Sequence, residues 1–269
     1  MPQQAPPPSS LAMLIYASFN RRIGATLLLG FSSGLPLALS GSTLQTWLAT
    51  LHVDVTAIAA FSLVGLPYSL KFLWAPLMDR YMPPFMGRRR GWILLAQLVL
   101  GALMVMMAVT DPLTAMPQLV LLALIMAFAS ASQDIVYDAY RTDLLPPVER
   151  GLGAAVTVGG YRMAMIVSGA LVLVLSDRIG WRNSYLLMAL LMLLATAVTL
   201  LAPEPSLTVE APRTLKDAVL TPMKELSTRR AAAGLLALVV LYKFGNWFSG
   251  PLTNVFLVSG LHLDRKSVV

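Results

Sequence analysis

The sequence contains no cysteine. That excludes disulfides, thiolate metal sites and a cysteine nucleophile. Histidine is almost as scarce: His52 and His262 stand far apart. The HExxH, Gly-x-Ser-x-Gly and GxxxxGK[ST] patterns do not occur, so neither an enzyme nor a metal or cofactor site is indicated. Charge is the most telling shortage. Only 12% of the 269 residues are charged, against 57% hydrophobic, and mean hydropathy is +0.71. Soluble domains carry about 25% charged residues. A bilayer crossing needs about 20 mostly apolar residues, and this composition implies an all-α, polytopic membrane helix bundle.

The apolar runs predict seven spans: 23–48, 56–77, 92–109, 118–140, 151–175, 185–201 and 231–258. Residues 1–22, opening "MPQQAPPPSS", read as a disordered tail rather than a cleaved signal, because no small-x-small site follows. Residues 202–230 are polar, carry Pro203, Pro205, Pro212 and Pro222, and predict a linker with a short amphipathic helix at the membrane surface. Residues 259–269 form a short tail. The domains expected are therefore a six-helix unit over 23–201, the linker, and a seventh helix.

The net charge of +7 could indicate nucleic acid, but its placement points to membrane orientation instead. With the N-terminus inside, thirteen of the twenty Lys and Arg residues fall in inner segments and four in outer ones, the bias of cytoplasmic loops. The hairpin "APLMDRYMPPFMGRRRGW" is then cytoplasmic.

Five ionisable residues lie within spans: Lys71, Asp134, Asp138, Arg162 and Lys243. Each costs at least about 2.5 kcal/mol at the bilayer centre unless paired or hydrated. Spans three and six carry none, so they are expected to face lipid. At 1.5 Å per residue, Lys71 lies about 12 Å and Asp134 about 10 Å from the inner end, which allows them to pair if spans two and four are neighbours. Arg162 and Lys243 lie about 18 Å deep. A midplane guanidinium in a wet cavity suits a carboxylate. Structural readings stand beside these. Asp138 could pair with a neighbouring arginine as a latch, and Lys71 could snorkel. Gly30, Gly34 and Gly41 read as a helix-packing face.

Two resemblances follow from the motifs. The "APLMDRY…GRRRGW" hairpin and "LLPPVERGLGAA" resemble the loop signatures of the major facilitator superfamily. Ala75, Asp79, Arg80 and Gly87 to Arg90 take the pattern positions, with "YMPPFM" as extra residues between the halves. More narrowly, "GFSSGLPLALSGSTLQTWL", "FSLVGLPYSLKFLWAPLMDRYMPPFMGRRRGW", "SASQDIVYDAYRTDLLPPVERG", "GYRMAMIVSGAL" and "VLYKFGNWF" resemble the anhydromuropeptide permeases. That resemblance implies proton-driven import of GlcNAc-anhydroMurNAc peptides across the inner membrane of a Gram-negative bacterium, serving cell-wall recycling and β-lactamase induction. It implies the lipid bilayer, a muropeptide and protons as partners, without nucleic acid.

Under that reading Asp134 and Asp138 are the proton-coupling candidates. Arg162, Lys71, Lys243, Gln133, Gln45, Tyr68, Tyr137 and Tyr161 are the substrate-binding candidates. Asp79, Arg80, Gly87, Arg88, Arg89 and Arg90 form a gating hairpin. Superfamily transporters use two six-helix halves, so the chain is expected to be a truncated form that works with a missing C-terminal half or a second copy. The rival readings are a different drug or metabolite transporter of the superfamily and a non-transporting membrane fragment.

Overall fold

In lipid the backbone must satisfy its hydrogen bonds within helices or closed barrels, and apolar runs of about 20 residues have the length of a helical crossing. The computed structural model describes residues 20–54, 58, 61–81, 83–205, 214–228 and 231–255. Most of the expected N-terminal tail and all of the 259–269 tail lie outside them. Two compact units result, Met1–Ala211 and Pro212–Val269.

In the first unit, α1 (Arg21–Ser40) is capped by Asn20, whose side chain accepts from the Arg22 amide. Gly41 interrupts it before α2 (Ser42–Thr50). The second span is not one helix. A 3-10 turn (Phe61–Gly65), α3 (Leu66–Leu70), a second 3-10 turn (Lys71–Leu73) and α4 (Ala75–Arg80) follow one another. Pro67 and Pro76 each begin a new helical piece, because proline donates no backbone hydrogen bond and clashes with the turn before it. The third and fourth spans are α5 (Arg90–Val109) and α6 (Met116–Leu144). The fifth, α7 (Arg150–Ile166), passes through a π segment (Val167–Leu171) into α8 (Val172–Leu201). Gly180, at φ 80°, joins the fifth span to the sixth within α8, so the two meet at one residue rather than across a longer loop. Among the described residues four stretches are long and apolar enough to cross a membrane: Arg21–Thr50, Arg90–Val109, Met116–Leu144 and Arg150–Leu201.

Two devices bring the spans together. One is close backbone approach. A Cβ on Gly34 would stand 2.7 Å from the Tyr161 carbonyl oxygen, and one on Gly160 would stand 2.5 Å from that of Leu27. Small residues thus let α1 lie directly on α7. Gly41 differs from the packing role read for it, since it ends α1.

The other device is a buried polar network. The Thr199 hydroxyl donates to Gln97 Oε1 (2.6 Å), while Gln97 Nε2 and Gln133 Nε2 both donate to Ser32 Oγ (3.0 Å each). Side chains from α1, α5, α6 and α8 meet there. Around it, α5 and α8 pack on each other and turn Leu98, Met106, Leu190 and Leu194 outward.

The second unit holds α9 (Leu215–Thr228) and α10 (Ala232–Val255). Thr214 and Asp217 cap α9 reciprocally: the Asp217 amide donates to Thr214 Oγ1 and the Thr214 amide to Asp217 Oδ2, both at 3.1 Å. Leu215, Val219, Met223 and Leu226 recur at helical spacing along it and are exposed.

Candidate functional site

The break in the second span sets the site. It places Lys71 on a 3-10 turn rather than mid-helix, against α6. Lys71 Nζ stands 3.9 Å from Asp134 Oδ2. The other Asp134 oxygen accepts from the Ser33 hydroxyl of α1. A carboxylate at membrane depth is thus held by a cation from one side and a hydroxyl from another, as a buried charge requires.

Asp134 opens onto a cavity of about 430 Å³ lined by Ser33, Asp134, Tyr137, Asp138, Thr157, Val158, Tyr161, Arg162 and Met165. The size is that of a small-molecule site. Arg162 is exposed on α7 and joins this lining. Tyr137 braces the wall: its hydroxyl donates to the Thr26 carbonyl (2.6 Å) and lies 2.9 Å from Thr157 Oγ1. Asp138 lines the rim and pairs with Arg141 at 3.3 Å. The cavity lining therefore carries two carboxylates from α6 and a guanidinium from α7, an arrangement able to hold an anion and to exchange a proton.

Five sequence candidates line the cavity together: Asp134, Asp138, Arg162, Tyr137 and Tyr161. Lys71 reaches it through its pair with Asp134. Three others sit elsewhere. Gln133 is buried and spends its amide on Ser32. Tyr68 has its hydroxyl buried beside Ser130 and Ser40, closing a hydrogen bond with neither. Gln45 lies on α2, beyond the break at Gly41. Lys243 belongs to α10, and its side chain is outside the described residues.

Sequence reasoning missed Ser33, Thr157, Val158 and Met165. Ser33 had a readable signal, an uncharged hydroxyl inside an apolar span, but it sat in a stretch that also read as helix packing.

The hairpin forms a separate charge cluster. Arg89 bridges two acids, with Nη1 2.7 Å from Asp79 Oδ1 and Nε 2.9 Å from Asp143 Oδ2. Arg88 is buried and donates to the Asp79 carbonyl (3.0 Å). Burial, then the neighbouring Arg89 guanidinium, pulls Arg88 below the usual arginine range, with Asp79 and Asp143 opposing. Arg90 donates to the carbonyls of Thr199 (3.0 Å) and Leu200 (2.6 Å) and lies 3.6 Å from Glu204 Oε2. Arg80 stands over the Tyr81 ring, 5.8 Å from its centroid. Gly87 has φ 77°, and a Cβ there would overlap the Glu204 carboxylate, so the hairpin turns where only glycine fits. Asp143 and Glu204 complete the cluster and were not read from the sequence.

A family model of the Major Facilitator Superfamily matches residues 26–269. The chain is 49% identical over 248 residues to the anhydromuropeptide permease of Escherichia coli K12, covering 92% of this chain and 50% of that protein. The same figures hold for the anhydromuropeptide permease of Escherichia coli O157:H7. An uncharacterized Haemophilus influenzae protein is 41% identical over 244 residues, covering 89% of this chain and 57% of that one. The chain thus spans about half the length of these relatives.

Proposed function

The chain belongs to the major facilitator superfamily, and from that premise we propose that it is the first half of a proton-coupled importer of anhydromuropeptides in a bacterial inner membrane. Residues 23–201 are its six-helix domain, 202–230 a cytoplasmic linker and 231–258 the first helix of the second half. The N-terminus and the arginine hairpin face the cytoplasm, following the placement of basic residues. Identity with the Escherichia coli permeases supports the substrate class.

The observation that carries the reading is the Asp134 carboxylate, set between Lys71 and Ser33 on a cavity it shares with Arg162. Arg162 anchors a carboxylate of the peptide, its planar fork matching that geometry. Tyr161 and Thr157 offer hydrogen bonds to sugar hydroxyls. A proton arriving at Asp134 neutralises it and releases Lys71. Lys71 then becomes available to substrate, and loss of the proton to the cytoplasm restores the pair. Occupancy of the cavity and protonation of Asp134 are coupled because both bear on one cation. Asp138 lies one turn nearer the hairpin, on the exit path for that proton. Tyr137 holds the cavity wall through Thr26 and Thr157, and Tyr68, Gln133 and Gln45 act from outside this innermost set. The hairpin of Asp79, Arg80, Gly87 and Arg88 to Arg90 closes the cytoplasmic side.

The test is uptake of labelled GlcNAc-anhydroMurNAc tripeptide into vesicles carrying the chain with its second half, under an imposed proton gradient. Accumulation abolished by a protonophore supports the reading. Transport of unrelated drugs in its place points to an exporter of the superfamily, and transport of neither to a non-transporting protein.

A further inference from the structure

Asp134 has a second set of neighbours, on the side away from Asp138. Ser130 precedes it by one turn of α6, and Tyr68 precedes Lys71 by one turn of the second span. The broken second span rests on α6, and the two meet at two levels. At one, Lys71 stands 3.9 Å from Asp134. At the other, the Tyr68 hydroxyl lies beside Ser130. Ser40, at the end of α1, joins that second level from another side. Tyr161 of α7 also faces Tyr68.

The hydrogen bonding at this level is incomplete. The Tyr68 hydroxyl and Ser130 Oγ are buried, and neither has a partner among the described residues. Ser40 Oγ donates to the Pro36 carbonyl (2.9 Å) and keeps its capacity to accept. Ser132, on the same helix as Ser130, shows the usual outcome. It donates to the Phe128 carbonyl (2.8 Å) and accepts from the Trp74 indole (3.0 Å). Buried hydroxyls are unfavourable unless paired, and a water is held where two or more polar groups converge. Three hydroxyls from three spans converge here. Neither Tyr68 nor Ser130 lines the cavity that Asp134 shares with Arg162, so the group lies off the substrate path.

Its place along the membrane normal gives it a direction. With the N-terminus inside, α6 runs inward, so Ser130 stands about 6 Å outward of Asp134 and Asp138 about 6 Å inward. One turn beyond Tyr68 and Ser130, Val64 and Met126 are buried. These apolar side chains keep bulk water from the outer side of Asp134, and a proton arriving there needs hydroxyls to carry it.

On the reading of Asp134 as the coupling group, we propose that Tyr68, Ser130 and Ser40 hold one water and form with it the relay that delivers the proton to Asp134 from the outer side. The incoming proton binds the water, which passes one of its own to the Tyr68 or Ser130 oxygen. That hydroxyl releases its original proton to the carboxylate. Each oxygen of the relay ends with the number of protons it began with, and only Asp134 has gained one. Rotation of the hydroxyls resets the relay.

The test times proton arrival as well as transport. In oriented vesicles carrying the chain with its second half, the outer pH is dropped rapidly. The growth of the Asp134 carboxyl infrared band, assigned by its loss in Asp134→Asn, is then followed. Tyr68→Phe and Ser130→Ala should each slow that growth about 5- to 150-fold, the rate equivalent of one lost buried hydrogen bond, and reach the same final band. The double variant should be as slow as the slower single one, because both hydroxyls serve one path. Ser132→Ala should match the unaltered chain. Gradient-driven uptake of labelled anhydromuropeptide should slow in Ser130→Ala while counterflow stays unchanged. Unchanged band growth in either relay variant overturns the proposal. So does an equal loss of counterflow and driven uptake, which assigns the hydroxyls to packing. A band that never grows in the unaltered chain removes Asp134 as the coupling group and the relay with it. A band that grows through the relay without muropeptide uptake leaves the relay standing and removes the substrate reading alone.

Discussion

Replacing Ser32 with alanine should destabilise the helix bundle far more than a single lost hydroxyl usually does. Ser32 Oγ accepts from two amides, Gln97 of α5 and Gln133 of α6, and donates to the Leu29 carbonyl of its own helix. All three side chains are fully or almost fully buried. Ser32→Ala removes the acceptor and leaves both amides without their partner. Interhelical hydrogen bonds in membranes contribute about 0.6 kcal/mol on average and about 1.7 at most. Orphaning a buried donor costs about 1–3 kcal/mol. Two donors at the membrane values together give an expected loss of about 1–3 kcal/mol, and full orphaning of both would raise it to about 2–6 kcal/mol. Ser40→Ala is the matched control, because the Ser40 hydroxyl donates only within its own helix, chiefly to the Pro36 carbonyl (2.9 Å). Buried though Ser40 is, the change should cost under about 0.5 kcal/mol, because a serine back-bonding to its own helix adds little to stability. Reversible unfolding in mixed micelles, followed by far-ultraviolet circular dichroism, measures both. If Ser32→Ala and Ser40→Ala unfold at the same denaturant fraction, the network does not bind the four spans together.

Other perturbations follow from the same contacts. Gly34→Ala sets a methyl 2.7 Å from the Tyr161 carbonyl, so α1 and α7 must separate. A loss of about 1–3 kcal/mol, the usual range for overpacking, is expected in the same assay, while Gly24→Ala, which meets nothing within 4 Å, should be close to neutral. Arg89→Gln strips Asp79 and Asp143 of their shared partner. It should raise the rate of proteolysis within the hairpin several-fold, read by the appearance of the two fragments. Burial holds the Glu204 carboxyl above its ordinary range, with Arg90 opposing. The folded state therefore keeps that proton more tightly than the unfolded chain does. The contribution of Glu204 to stability should fall as pH rises from its unfolded value through its raised folded one. Glu204→Gln should flatten that part of the stability–pH curve, and an unchanged slope would count against the assignment.

Much of the bundle is written in local composition. The third and fourth spans are apolar runs whose ends the structure moves by a few residues. Even the Lys71–Asp134 contact is within reach of depth counting, since the two sit at nearly equal distances from the inner end once their spans are neighbours. The second span shows where such reading stops. Pro67 and Pro76 are visible in the sequence, but whether proline bends a membrane helix or divides it depends on which neighbours can satisfy the freed carbonyls. Here it divides the span, and that puts Lys71 on a turn. Glu204 and Asp143 were illegible for another reason. Each meets its arginine across more than fifty residues of chain, and one polar residue in a linker resembles any other until the chain closes. Gln133 shows the converse. A polar residue beside Asp134 on a membrane helix reads equally as ligand-binding or structural, and the helix phase turns it toward Ser32 and away from the cavity.

The reading of Asp134 as the coupling group is tested most directly by separating driven uptake from exchange. In vesicles carrying the chain with its second half, Asp134→Asn should abolish accumulation of labelled anhydromuropeptide under a proton gradient. Counterflow between preloaded and external substrate, which needs no net proton movement, should persist. Asp134 is faced by Lys71 and Tyr68 from the second span and by Tyr161 and Arg162 from the fifth, with Tyr137 and Asp138 on its own helix. Lys71→Ala is therefore the necessary companion variant, expected to impair both activities. Full gradient-driven accumulation in Asp134→Asn would contradict the account.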